Sequence, residues 1–450
     1  MDNGIGLYIH IPFCKKKCYY CDFNSYPGMD HLAGSYFNAL KNEMGIMSEG
    51  LKDRPVKTVF IGGGTPSLVD PGYISELLED CSRLFNLGSD AEISMECNPG
   101  TLSFEKLRIY RQAGINRLSI GLQAWQDRLL ESLGRIHRRQ QFTDNLESAY
   151  KAGFTNINAD LIFGLPGQTF EDWSETLDAV TSHFMDKRIT HLSCYSLQIE
   201  EGTVFGDKYE TGALIPADDE LDRKMYGYTV EFLAGKGYRH YEISNFALPG
   251  YECRHNLIYW RAEEYASFGA GAHSYLNGKR YGNTAGIEEY IGAVKRFEER
   301  TRDIGDKAGC RNEEGYYPVP TDTGLDTGLL DTGPTDTGFD TGLHEDIQYI
   351  GRRESMSEFM ILGLRLIKGV SSEEFRQRYG VRLQEVFGEK LETLVRKGLL
   401  VREETSCRVP ADSNNEAKEP SPRFTFTDDV HYRLSALGLD LANKVFVEFI

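Results

Sequence analysis

From Gly6 to about Asn283 the chain alternates short apolar, β-branched runs with longer stretches whose apolar residues recur at helical spacing. Strands are predicted at Leu7 to Ile11, Lys57 to Ile61, Glu92 to Glu96, Arg117 to Gly121, Asn156 to Ile162, His191 to Leu197 and Tyr238 to Ile243. Helices are predicted between most of them, including Gly72 to Phe85, Phe104 to Ala113 and Gln141 to Ala152, the last closed by Gly153. Strands joined through helices lie parallel. The pattern therefore predicts an α/β fold with helices outside one parallel sheet and ligand-binding loops at the carboxyl ends of its strands. Pattern alone leaves open whether the sheet closes into a full barrel.

After about residue 350 the spacing turns helical: Ser355 to Leu366, Ser371 to Tyr379 with Ser371 as cap, and Leu383 to Lys397 ending at Gly398. Strands at Leu399 to Arg402 and Arg423 to Thr427 flank a polar stretch, Glu403 to Pro422, and a last helix is predicted from about Val430 to Phe449. The expected organisation is an α/β domain over 1–300, a distinct segment over 303–350, and a C-terminal helical, winged-helix-like domain over 351–450.

The middle segment stands apart by composition. It holds eleven acidic residues against Lys307 and Arg311, half of the chain's formal charge of −18. Asp-Thr-Gly recurs in it from Asp322, Asp326, Asp331, Asp336 and Asp340. That triplet also surrounds aspartic protease nucleophiles, and evenly spaced carboxylates can bind calcium. Tandem copies with little flanking apolar surface read instead as a low-complexity insert without a core of its own.

Such an acidic chain is a poor match for nucleic acid, whose partners cluster Lys and Arg. At 450 residues and 40% hydrophobic content it is long enough for a large and a small core. No apolar run approaches a membrane span, and Asp2, Asn3 and His10 break any leader, so a cytoplasmic protein without a transmembrane segment is expected. Transient contact with a membrane surface stays open.

The chemistry concentrates at the start, in Tyr8-Ile-His-Ile-Pro-Phe-Cys-Lys-Lys-Lys-Cys-Tyr-Tyr-Cys-Asp-Phe23. Cys14, Cys18 and Cys21 place three soft thiolates on one loop, as iron–sulfur clusters require, with no fourth cysteine before Cys81. A structural zinc site would need His10 or His31 to close its tetrahedron. An odd count of nine cysteines argues against a disulfide framework. A second signal follows the strand ending at Ile61: Gly62-Gly63-Gly64-Thr65-Pro66 lets backbone approach a ligand closely.

The cysteine spacing and its flanks resemble the radical S-adenosylmethionine (SAM) superfamily, and within it the family of oxygen-independent coproporphyrinogen III oxidases and related heme chaperones. The resemblance implies a partial (β/α)6 barrel, a [4Fe-4S] cluster on Cys14, Cys18 and Cys21, and a C-terminal domain placed as a lid. It also implies SAM binding by Gly63, Gly64 and Thr65, by Arg135 at the methionyl carboxylate, by Glu96, Gln123 and Asp160 at polar groups of the nucleoside, and by Tyr8 and Tyr20 near cluster and adenine. One electron from the cluster breaks a C–S bond of the sulfonium in this superfamily, a step that needs no acid–base pair, so no catalytic residue is nominated.

Two departures separate the chain from the oxidases. Phe23 stands where they carry a further cysteine, and few residues precede Cys14. Both favour the chaperone branch, which implies heme as ligand and a heme-accepting protein, such as a respiratory enzyme, as partner; coproporphyrinogen III oxidation is the alternative. The blocks His255-Asn-Leu-Ile-Tyr-Trp260 and Gly269-Ala-Gly-Ala-His-Ser274 resemble that branch too. His255, beside Tyr259 and Trp260, is the expected axial heme ligand, with Cys253 a weaker candidate.

Surface insertions add little loop-closure entropy. Deleting the Asp-Thr-Gly insert is therefore expected to leave cluster loading intact, measured as iron and sulfide content after anaerobic reconstitution; loss of the cluster would give the repeats a role in the fold.

Overall fold

The computed structural model describes residues 4–182, 189–308, 342–410 and 424–450, with side chains left out at 301, 303–308, 405–410 and 424–428. The chain divides into two compact units. The first comprises residues 1–238, 247–258 and 264–349; the second comprises 239–246, 259–263 and 350–450. The second unit thus recruits two short segments from within the stretch expected to form one continuous α/β domain.

In the first unit, β1 (Ile5–Ile11), β2 (Val56–Gly63), β3 (Leu87–Cys97), β4 (Arg117–Gln123), β5 (Asn156–Phe163) and β6 (His191–Ser196) pair in that order, all parallel. These are the six strands of the expected partial barrel. Among the strands not foreseen, four extend the sheet beyond β1. Strand β7 (Tyr265–Phe268) adds in parallel to the outer side of β1, and β8 (His273–Leu276), β9 (Lys279–Asn283) and β10 (His344–Tyr349) continue antiparallel.

Helices α1 (Ala33–Ser48), α2 (Pro71–Leu84), α3 (Phe104–Gln112), α4 (Arg139–Lys151), α5 (Phe170–Ser182) and α6 (Asp219–Gly235) follow the strands. Their starts carry local reasons. Asp70 accepts a 2.8 Å hydrogen bond from Gly72 N ahead of Pro71, and Ser103 caps α3 through Lys106 N. Trp173 of α5, fully buried, donates from Nε1 to Thr229 Oγ1 of α6 at 2.8 Å.

The acidic segment expected over 303–350 is bounded more tightly by structure. A long helix, α7 (Ile287–Ala308), runs into its start and β10 occupies its end. The Asp-Thr-Gly repeats themselves lie almost wholly outside the described residues.

In the second unit, α8 (Arg352–Gly363), α9 (Ser372–Tyr379) and α10 (Leu383–Arg396) enclose a core that includes Met360, Phe375, Leu391 and Phe449. Ser371 caps α9 by accepting from the N–H groups of Glu373 and Glu374, and Gly380 closes it with φ 72°. The wing is larger than the sequence pattern suggests. Val370–Ser371, Leu400–Pro410 and Phe424–Leu434 form one antiparallel sheet, so Val430 begins no helix. The helical turns begin only at Ala436.

One buried carboxylate ties α1 to the sheet extension. Glu43 accepts from Gly269 N at 2.9 Å, Asn283 Nδ2 at 2.6 Å and the Tyr290 hydroxyl at 2.5 Å. Burial pushes its carboxyl up to about 7, against the pull of those three donors. A carboxyl raised in the folded state stabilises below its unfolded value and loses that contribution as pH climbs through about 7. Thermal unfolding of the cofactor-free protein is expected to occur at lower temperature at about pH 8 than at about pH 5, and Glu43→Gln is expected to flatten that slope at a cost of roughly 1–2 kcal/mol at the lower pH. An unchanged slope in the variant would remove Glu43 as its source.

Candidate cofactor site

The carboxyl ends of β1 to β5 open on one cavity of about 230 Å³. Cys14, Cys18, Cys21, Tyr20, Gly63, Gly64, Thr65, Glu96, Gln123, Arg135 and Asp160 all line it. Residues spread over nearly 150 positions are thus gathered where parallel strands expose their ends.

The cysteine loop is anchored where it closes and in its middle. Tyr26 N donates to Pro12 O at 2.8 Å, closing the loop, and Tyr19 N donates to Leu133 O at 3.0 Å. Among the described residues no three Cys, His, Asp or Glu side chains converge closely enough to hold one metal ion. The thiols border a shared space, an arrangement suited to a cubane whose irons sit at the corners of a larger body. Burial pushes the Cys21 thiol up to about 11 and raises Cys14, while Lys17 and Arg135 respectively oppose those shifts. Ligation of a metal requires these thiols to give up their protons, so cluster loading is coupled to proton release.

Two glycines form the rim opposite the thiols. Gly63 adopts φ 110°, and a Cβ there would stand 2.5 Å from the His10 ring. At Gly64 a Cβ would meet Phe13 O at 2.8 Å and Pro12 C at 2.9 Å, both backbone atoms that cannot rotate away. Gly63 N donates to Glu96 Oε2 at 3.0 Å. Thr65 Oγ1 accepts from Asn98 Nδ2 at 2.8 Å and lies 3.5 Å from Cys14 Sγ.

Three charged groups, Glu96, Asp160 and Arg135, line the cavity without a direct ion pair among them. Burial, then the charge of Asp160, pushes the Glu96 carboxyl up to about 7. Asp160 accepts from Ser119 Oγ at 3.1 Å and Asn158 Nδ2 at 2.8 Å. Arg135 donates from Nη2 to Gly121 O at 2.7 Å and from Nη1 to Cys18 Sγ at 3.5 Å, and its buried Nε has no partner in the structure. Gln123 sits at φ 69°, at an irregularity in the β4–β5 pairing. That bulge re-aims the strand end toward the cavity.

A cluster and SAM fit this donor set. The thiols match iron, the unpartnered guanidinium Nε matches a carboxylate, the two acids match a sulfonium and polar nucleoside groups, and the glycine rim leaves room for backbone contact.

Two expected residues lie elsewhere. Tyr8 does not border the cavity; its hydroxyl is 3.0 Å from His10 Nδ1, and its ring stacks on Phe60 at 6.2 Å. His255 is 1% exposed, inside the barrel. Its Nδ1 is 2.8 Å from Thr58 Oγ1, its backbone N–H donates to Glu92, and its ring stacks on Phe60 at 5.1 Å. Burial, reinforced by Arg117, depresses its pKa to about 3. The short helix Arg254–Trp260 turns His255 and Ile258 inward, so the imidazole is enclosed, contrary to a ligand's need for access. Cys253 is buried as well, and Trp260 carries the Arg365 guanidinium 4.4 Å above its ring.

The cavity also takes residues that sequence reasoning missed. Asn98 holds Thr65, and Ser119 and Tyr195 line the wall. Asn98 lies two residues after Glu96 in the Glu-Cys-Asn-Pro motif, and Tyr195 lies near the end of the predicted strand His191 to Leu197, so position signalled both.

Comparison with known proteins agrees with this geometry. Residues 8–180 match the radical SAM superfamily and residues 350–411 the HemN C-terminal domain. The chain is 36% identical to the heme chaperone HemW of Bacillus subtilis over 89% of its own length and 94% of the relative's. It is 31% identical to HemW of Lactococcus lactis over 99% and 97%. Among solved structures, the coproporphyrinogen III oxidase HemN of Escherichia coli superposes with a TM-score of 0.70 at 21% identity, covering 100% of this chain and 90% of that one, a likeness of fold.

Gly64→Ala is expected to force the backbones of the rim and the cysteine loop apart, costing roughly 1–3 kcal/mol and lowering SAM affinity and cluster content. Equilibrium dialysis with SAM and iron analysis check this; unchanged values would show the rim to be slack.

Proposed function

Because this chain belongs to the HemW family of heme chaperones, within the radical SAM superfamily, we propose that it binds heme alongside a [4Fe-4S] cluster and SAM and passes heme to acceptor proteins, respiratory enzymes among them, in the cytoplasm. No described helix is long and apolar enough to cross a membrane, so an acceptor in a membrane would be met at its surface.

The observation that carries this reading is the single cavity that gathers three thiols, Arg135, the glycine rim and two acids. Cys14, Cys18 and Cys21 would hold the cluster, which when bound to SAM supplies one-electron chemistry at the sulfonium. Arg135 would orient the methionyl carboxylate. Gly63 and Gly64 admit the amino acid end, and Glu96 and Asp160 offset the positive sulfur. Gln123 and Tyr20 would fix the nucleoside. These side chains bind and orient; none is placed to move a proton in a reaction.

Phe23 supports delivery over oxidation. It occupies the position of a further cysteine in oxidases and is 58% exposed, giving the cluster loop an apolar ring in place of another sulfur. Anaerobically reconstituted protein is expected to bind about one heme per chain by absorbance titration and to leave coproporphyrinogen III unconverted. Robust formation of protoporphyrinogen IX without heme binding would replace chaperone by oxidase.

A further inference from the structure

Phe23 faces two spaces. Its ring lines the cofactor cavity and also a neighbouring cavity of about 350 Å³ on the outer side of the cysteine loop. Lys17 and Tyr26 of the loop border this second cavity, as do His273 of β8, Gly282 of β9 and Glu345 of β10. The three strand residues form one cross-strand row, because His273 pairs with Gly282 and Gly282 with Glu345.

His273 differs from the enclosed His255 in every relevant respect. It is exposed, and its imidazole makes no hydrogen bond or ring contact among the described residues. A Cβ at position 282 would stand 2.9 Å from the ring, so glycine there lets the imidazole lie against the strand. The sheet fixes the backbone beneath it, and its nitrogens stay available. An accessible imidazole on a rigid strand, an exposed phenyl face and the Lys17 ammonium suit a flat iron chelate with carboxylate side arms.

A bare divalent cation fits less well. Asp22, Asp346 and Glu345 also border the cavity, yet among the described residues no three such groups converge with His273 on one point. Iron already held by four macrocycle nitrogens needs only one protein ligand there.

Resting on the heme-binding reading above, we propose that His273, in place of His255, is the axial heme ligand, with Phe23 against the macrocycle and Lys17 at its carboxylate edge. Glu345 and Asp346 repel the carboxylates and so set which edge faces the lysine. The bound ring would lie beside the cysteine loop, separated from the cofactor cavity by Phe23.

Full-length protein, reconstituted anaerobically, is titrated with ferric heme as wild type, His273→Ala and His255→Gln. His273→Ala is expected to weaken binding about tenfold or more and to lose the imidazole-ligated Soret band, with iron–sulfur content unchanged. Free imidazole is expected to restore the band, which a merely structural role would not allow. His255→Gln is expected to keep the wild-type spectrum. Wild-type binding that His273→Ala leaves unaltered would overturn this ligand while the chaperone reading stood; no heme binding by the wild type would remove both.

Discussion

Three thiols on one short loop cannot position themselves; the loop has to be held from outside. Holding a flexible segment costs conformational entropy for every residue fixed, so the anchors must be numerous and buried. Here they converge from several elements. Asn24 Nδ2 donates to Ala270 O and Ala285 O, His10 Nε2 is 2.7 Å from Asn24 O, and Tyr26 closes the loop on Pro12. The Tyr36 hydroxyl donates to His10 O at 2.7 Å and accepts from Ala270 N. Glu43 then fixes Gly269, next to Ala270. A chain of contacts therefore runs from a buried carboxylate on α1 through the β7–β8 turn to the end of the cysteine loop. Much of the β7–β9 extension serves to brace a loop that the six-stranded barrel alone would leave loose.

The same logic explains a polar barrel interior. Besides Ser119 in the cavity wall, the buried polar residues of the first unit include Glu92, Ser94, Arg117, Asn158, His191 and His255. Buried polar groups are tolerated only when paired, and a network that is fully paired is rigid. Asn158 illustrates this, donating to Ser119 and Asp160 while its Oδ1 meets His191. Asp160 is thereby fixed from beneath while its upper side reaches the cavity. An apolar interior would fill the space as well but would leave the strand-end carboxylates free to choose other rotamers.

Legibility in the sequence followed how local each signal was. The six parallel strands and the cavity residues at their ends were readable, since apolar runs and strand-end motifs such as Gly62 to Pro66 and Met95 to Pro99 are contiguous. The His255 block was legible, but the burial of its histidine was not, because that depends on a helix face and on a distant strand bearing Thr58. Strands β7 to β9 were missed because they are short and rich in Gly, Tyr and Ser, with little alternation. In the C-terminal unit, Tyr432 and Leu434 are buried at a period of two, but the following Leu437 and Leu439 extend the pattern into helical spacing and hid the strand. The boundary between the units was invisible because Arg239–Phe246 and Tyr259–Glu263 leave the first unit and return.

Phe23 shows how one position can redirect a shared scaffold. A thiol there would add a fourth sulfur to the loop and to its reactive, metal-seeking character. A phenyl ring does the opposite: it adds apolar area and offers no ligand atom. Because the ring borders two cavities, it gives both an apolar wall. Its 58% exposure costs solvation free energy in the free protein, at roughly 25 cal/mol for each Å² left in water, and that surface is recovered only when something flat covers it. The loop that carries the three cysteines thus also presents a docking surface, and a ligand on that surface would lie beside the cofactor cavity without entering it.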